Sequence, residues 1–141
     1  MSLALDEARK AVAVGEVPVG ALLIESATGK VLAQAHNLCE QKCDPTAHAE
    51  LLVLQQVACL KHVPLTLYVT LEPCPMCAGA IVQCRIDTVV YGADDPKAGA
   101  GGSAVNVLQN KSLDFRPKEV IAGVMAEECG YVLMEFFKKL R

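Results

Sequence analysis

The sequence predicts an α/β fold in which helices cover both faces of a mixed, five-stranded sheet. Two observations carry this expectation. Helix-like and strand-like apolar patterns follow one another along 141 residues in the order α-β-β-α-β-α-β-β-α. After an opening pair of strands, helices separate the strands, which implies parallel crossovers and a three-layer α/β/α sandwich. The opening pair itself is joined by a tight turn and must be antiparallel. The direction of the last strand is left open by this pattern.

Each element has its own signal. Ser2 can cap a first helix, with apolar residues at Leu5, Ala8 and Val12, that ends at Gly15. Pro18 opens an apolar run over residues 19–24, and Ser26-Ala27-Thr28-Gly29 turns it into a second strand over 31–35. Residues 37–45 read as a polar loop. A helix is expected over 46–60, with Asp44 or Thr46 as its cap, which puts His48 and Glu50 in or beside the first turn. Residues 66–71 are rich in β-formers, and Glu72-Pro73 ends that strand. Pro75 suits the first turn of a helix over 74–84, where its missing N–H costs little. A strand at 88–91 leads into a Gly-rich loop at 93–103, with a helical turn expected at 105–108. The last strand spans 119–122. A terminal helix over 126–140 carries Cys129, Val132, Leu133, Phe136, Phe137 and Leu140 at helical spacing.

The chain is of a length for one domain, residues 1–141, with a sizeable core. Its hydrophobic fraction of 52% against 21% charged residues excludes a disordered chain and leaves apolar surface for a subunit interface. A net charge of −3 argues against a strong, indiscriminate nucleic-acid binder, although Lys138, Lys139 and Arg141 form a local basic end. Seven cysteines without a secretory segment do not form a disulfide framework. Asp6, Glu7, Arg9 and Lys10 rule out a signal-peptide core at the start. No uncharged run reaches the roughly 18 residues that span a bilayer. The expectation is a soluble protein of the reducing cytoplasm with no membrane contact.

Two short stretches carry chemistry: His48-Ala49-Glu50 and Pro73-Cys74-Pro75-Met76-Cys77. A Cys-x-x-Cys pair at a helix start presents both sulfurs on one side of the first turn, where the helix-end field favours thiolates. His48 adds a third donor, and three protein ligands leave a tetrahedral position open, as at a catalytic zinc. Glu50 is then spare and is placed to shuttle protons. Either stretch alone usually has no metal role; together, each at a helix start, they specify one zinc per subunit.

The other cysteines and histidines read more plainly. Cys84 lies two turns beyond Cys77 and reads as core, while Cys59 and Cys129 sit at packing positions. His62 reads as a surface residue. His36, Cys39 and Cys43 offer a second metal clip or, on the plainer reading, a mobile loop with free thiols. Gly99-Ala100-Gly101-Gly102-Ser103 lacks the Gly-Lys-Ser/Thr ending of a phosphate loop and reads as a segment closely approached by substrate or another subunit.

The stretches Thr46-Ala47-His48-Ala49-Glu50 and Thr70-Leu71-Glu72-Pro73-Cys74-Pro75-Met76-Cys77-Ala78-Gly79-Ala80 resemble the zinc-dependent cytidine and nucleoside deaminases. More narrowly the chain is similar to bacterial tRNA-specific adenosine deaminases. That likeness includes Glu16-Val17-Pro18-Val19-Gly20-Ala21, Asp44-Pro45, Val89-Val90-Tyr91-Gly92-Ala93 and the ending Phe136-Phe137-Lys138-Lys139-Leu140-Arg141. The resemblance implies a single deaminase domain of cytidine deaminase-like fold, a homodimer, and conversion of adenosine to inosine at the wobble position of a tRNA anticodon. It implies that His48, Cys74 and Cys77 hold Zn²⁺ and that Glu50 protonates N1 of the base and relays a proton to the departing ammonia. Asn37 matches a residue that hydrogen-bonds the flipped base, the backbone of Leu71 and Glu72 a pocket border, and Asp95 a position near the nucleotide's sugar. Arg116, Phe136, Phe137, Lys138, Lys139 and Arg141 are the expected contacts to the anticodon stem-loop.

The chain departs from the family pattern in a shorter connection after the His48 helix and in Phe115, where a His often precedes the Arg. Two other readings stay open. One is a deaminase of free guanine, cytosine or a nucleoside; the other is a non-catalytic zinc module binding RNA or protein, against which the spare Glu50 argues.

Overall fold

The computed structural model describes residues 1–57, 60 and 62–141. Its elements are α1 (Ser2–Ala13), β1 (Gly20–Glu25), β2 (Val31–His36), α2 (Cys39–Lys42), α3 (Ala49–Gln56), β3 (Leu65–Leu71), α4 (Pro75–Gln83), β4 (Thr88–Ala93), β5 (Glu119–Ile121) and α5 (Ala126–Lys139). The five strands form one mixed sheet in the order β2-β1-β3-β4-β5. β1 runs antiparallel to both β2 and β3, whereas β3–β4 and β4–β5 are parallel. The last strand is therefore parallel to β4, because the long connection after β4 returns the chain to the same end of the sheet.

Helices cover both faces. α1 and α5 pack together on one side, and α3 with α4 on the other. Period-two alternation explains the division. Ala21 and Leu23 of β1, Leu67 and Val69 of β3, and Val89 of β4 meet Val53 of α3 and Ile81 of α4 in one continuous core. Fully burying each such Leu, Val or Ile contributes about 1.5–3 kcal/mol. On the opposite face the sheet is thinned by glycine. A Cβ on Gly20 would collide with the backbone of Ala4 and Ala8 in α1, and one on Gly92 with the sulfur of Cys129 in α5.

Several boundaries differ from the sequence expectation for identifiable reasons. Met1, not Ser2, occupies the N-cap of α1, and the Ser2 hydroxyl points to Met125 Sδ at 3.8 Å instead. The helix stops where expected. Gly15, at φ +76°, donates to Val12 O, and Glu16 donates to Ala11 O, the two bonds that close a helix through a left-handed residue. The expected polar loop contains the one-turn helix α2. Its Gln41 N–H is held at 2.8 Å by Glu16 Oε1, a partner distant in sequence.

α3 begins at Ala49, later than expected. Asp44 Oδ1 accepts hydrogen bonds from both the N–H and the hydroxyl of Thr46, holding the chain in a turn, and His48 is extended at the N-cap. The helix closes at Val57; of the further positions expected, 58 and 59 lie outside the described residues, so the packing role expected of Cys59 does too. Residues 105–108 form turns and a bridge between Gly101 and Asn106 rather than a helical turn. Among the described residues no helix is long and apolar enough to cross a membrane.

Candidate active site

α3 and α4 lie on the same face of the sheet and present their N-terminal ends to one spot. His48 is the N-cap of α3 and Cys74 that of α4, with Pro75 at the first helical position. Cys77 follows one turn into α4 and is fully buried. His48 Nδ1 lies 3.7 Å from Cys74 Sγ and 3.5 Å from Cys77 Sγ. Zn–S bonds near 2.3 Å and Zn–N bonds near 2.0–2.1 Å set at tetrahedral angles give an N···S edge of roughly 3.6 Å. Both N···S edges are thus of the length a tetrahedral ion requires, and all three donor atoms lie within 4.8 Å of one another. Among the described residues this is the one cluster of three His, Cys, Asp or Glu donors close enough to share a metal.

The three donors perturb one another's hold on their protons. The hydrogen bond from the Cys77 thiol, against opposing burial and with help from His48, pulls the Cys74 thiol down to about 4. Cys77 is pushed far above the ordinary thiol range by that same bond and by burial. The bond to Cys74 raises His48 despite its burial.

Glu50 sits beside them, 3% exposed, and its Oε2 has no hydrogen-bond partner. Burial, the largest influence, pushes its carboxyl up to about 7. An orphaned buried carboxylate oxygen costs about 1–3 kcal/mol or more unless another group satisfies it. The residues present fit a catalytic metal better than a structural one, because the cluster offers three donors rather than four and a buried carboxyl with an unpartnered oxygen stands beside it.

A cavity of about 270 Å³ opens on this cluster, lined by His48, Glu50 and Cys74 together with Asn37, Leu71, Glu72 and Asp95. Its size lies just below that of drug-sized sites, which suits one base rather than a whole nucleotide. The Asn37 carboxamide oxygen accepts Ala49 N–H at 2.9 Å, so the group it can offer a ligand is its NH₂ donor. Asp95 Oδ1 accepts the N–H groups of Lys97 and Ala98, fixing its own turn. Val17, Val19 and Ala98 also line the cavity and were not singled out from the sequence, and Cys39, read there as part of a metal clip or as a free thiol, lines it too. Cys39 lies two residues beyond Asn37, the signal that could have found it.

The second metal clip does not form among the described residues: His36 Nδ1 pairs with Glu7 Oε2 at 3.0 Å. Cys39 opens α2 and Cys43 is its C-cap, and both thiols are free. The Gly-rich segment is approached from inside the fold, since a Cβ on Gly99 would collide with the Glu72 carboxylate.

The expected RNA contacts do not gather at the cavity. Arg116, with Lys111 and Lys118, lines a separate groove of about 720 Å³ that shares no lining residue with it. Arg85 stacks over Phe115 there, 5.4 Å from the ring centre. On α5 only Cys129 is fully buried; Phe137 and Leu140 are 44% and 68% exposed, so the expected apolar stripe is only partly covered. Phe136 and Phe137 meet edge to face, and Lys138 lies 4.0 Å from Glu135. Lys139 and Arg141 have no ion pair among the described residues.

The chain matches the family model of MafB19-like deaminases over residues 1–141. It is 48% identical to the tRNA-specific adenosine deaminase of Bacillus subtilis, with 100% of this chain and 88% of that one aligned. A solved tRNA:A34 deaminase, described for A-to-I editing at the wobble position, superposes with a TM-score of 0.86 at 41% identity, covering 94% of this chain and 97% of that one. The guanine deaminase of Nitrosomonas europaea shares the fold, with a TM-score of 0.80 at 20% identity over 96% of this chain and 81% of its own.

Proposed function

As a member of the MafB19-like deaminases, within the tRNA-specific adenosine deaminases, the chain is an enzyme, and we propose that it hydrolyses adenosine to inosine at the wobble position of a tRNA anticodon. The observation that carries this reading is the unpartnered Glu50 Oε2 beside the tetrahedrally spaced His48, Cys74 and Cys77 in a base-sized cavity.

His48, Cys74 and Cys77 would hold zinc, which supplies a Lewis acid that brings the acidity of water into the neutral range. Glu50 takes a proton from the attacking water and gives it to N1 of the adenine as C6 gains the hydroxyl. Glu50 then moves the hydroxyl proton to the exocyclic amine, which leaves as ammonia. Adenosine and water become inosine and ammonia, and Glu50 ends as it began. The Asn37 NH₂ orients the base, and the walls at Leu71, Glu72 and Asp95 keep bulk water from the reacting face.

A duplex would have no access to so small a cavity, so the base enters from a single-stranded loop, as in an anticodon. Arg116 and the exposed end of α5, with Phe136, Phe137, Lys138, Lys139 and Arg141, extend the contact to the stem-loop. A cytoplasmic homodimer is the assembly we infer, the dimer supported by the apolar side chains left exposed on α5 at Tyr131, Met134 and Phe137. The substrate is tested by comparing kcat/KM for ammonia release from an anticodon stem-loop with that from free guanine, cytosine and adenosine. Preference for a free base would reject the tRNA reading.

A further inference from the structure

The Glu72 carboxylate takes no part in the proton transfers above, yet Glu72 is only 2% exposed two residues before a metal-site sulfur. Its oxygens are used entirely inside the fold. Oε2 accepts the N–H of Asp95 at 2.8 Å, and Oε1 accepts those of Gly101 and Ser103, each at 3.0 Å. Two backbone bonds flank the clamp: Glu72 N–H to Ala93 O at 2.8 Å and Ala100 N–H to Pro73 O at 2.7 Å. The 93–103 loop therefore closes around one carboxylate. The loop has bonds of its own, among them Gly99 N–H to Asp95 O at 2.8 Å and Ala104 N–H to Gly99 O at 3.0 Å, but the Glu72 carboxylate is the side chain that joins its Asp95 end to its Gly101–Ser103 end. Charge-assisted bonds to backbone N–H groups are about twice as strong as neutral ones, and three of them meet here. Gly99 leaves the space the carboxylate fills.

The same loop carries Asp95 and Ala98 to the wall of the cavity. We propose that Glu72 is a positioning residue for the substrate: its carboxylate holds the 93–103 loop so that Asp95 and Ala98 form the side of the cavity that receives the nucleotide. Glu72 never touches the reacting atoms. It acts through the loop, and the proposal rests on the deaminase reading only for its kinetic test.

Two variants press on the clamp from opposite sides. Glu72→Gln keeps the shape but places an NH₂ donor against backbone donors; Gly99→Ala drives a methyl group into the carboxylate and against the backbone oxygen of Asp95, so Glu72→Gln is the variant that isolates the carboxylate. In both, metal content should match that of the unaltered protein. KM for the stem-loop should rise about tenfold or more while kcat at saturating RNA falls much less, because misplaced binding walls weaken capture before they alter chemistry. Amide hydrogen exchange should accelerate at Asp95, Gly101 and Ser103, with α3 and α4 unchanged.

Accelerated exchange with unchanged KM in either variant would show that the loop does not serve the substrate, and would overturn the proposal. So would loss of metal with an equal fall in kcat and kcat/KM, which would make Glu72 a mere support of Cys74. If Glu72→Gln fails to fold, Glu72→Asp, which keeps the charge but draws the carboxylate back from the loop by one methylene, decides between these outcomes. If the unaltered protein edits no RNA, the functional reading fails by itself. The kinetic comparison then moves to whichever base it deaminates, while unaltered loop exchange in Glu72→Gln would still sink the clamp.

Discussion

On the proposed function, Glu50 and the donors around it divide into residues that would hold the metal and one that would move protons. The division has separable consequences. Glu50→Ala should keep its zinc, measured by elemental analysis, and lose about two to four powers of ten in turnover, the usual worth of a general acid–base group. Cys74→Ser and His48→Ala should lose metal and activity together. Metal loss in Glu50→Ala would make that residue a ligand and reverse its role. Asn37 has two jobs that a substitution can split. Asn37→Asp keeps an oxygen for Ala49 N–H but removes the NH₂ donor. Melting temperature should stay close to that of the unaltered protein while KM rises about tenfold. Equal KM values would remove Asn37 from base recognition.

Contacts between elements decide what could be read from the sequence and what could not. The strands and the larger helices were legible because their apolar periods are local properties of the chain. The start of α3 was not, because Asp44 and Asn37, lying outside the helix, hold His48 extended at its cap. α2 was hidden for a related reason: its support comes from Glu16, across a hairpin. The His48, Cys74 and Cys77 cluster was visible as spacing. The Glu72 clamp was not, since its partners are backbone N–H groups, which every residue but proline has.

The junction of α1 with β2 offers a test at this scale. Glu7 is buried, and its carboxylate bonds Lys10 Nζ at 2.6 Å and His36 Nδ1 at 3.0 Å. Burial alone would raise its carboxyl, but these two bonds outweigh it and hold the group below its ordinary value of 4.5. A carboxyl lowered by folding stabilises the fold above its unfolded value, and that contribution is lost as pH falls through the folded one. Melting temperature should therefore drop more steeply between about pH 5 and pH 3 for the native chain than for Glu7→Gln. Parallel curves would show that the contact contributes nothing to stability.

Over the whole molecule, a net charge of −3 must be reconciled with an RNA substrate. The basic end of α5 and the groove with Arg116 supply local positive surface on an acidic protein. Neutralising Lys138, Lys139 and Arg141 together should weaken stem-loop binding and flatten its dependence on salt, because fewer counterions are released. Single-turnover chemistry at saturating RNA should change far less, since these side chains are not in the cavity. An unchanged affinity and slope would remove the tail from recognition. The most direct measurement of the account is nucleoside mass analysis of an RNA hairpin, carrying adenosine at the wobble position, after incubation with the zinc-loaded protein. The account predicts inosine at that position, and none with Glu50→Ala. Adenosine left intact by a protein that converts free guanine to xanthine would contradict it.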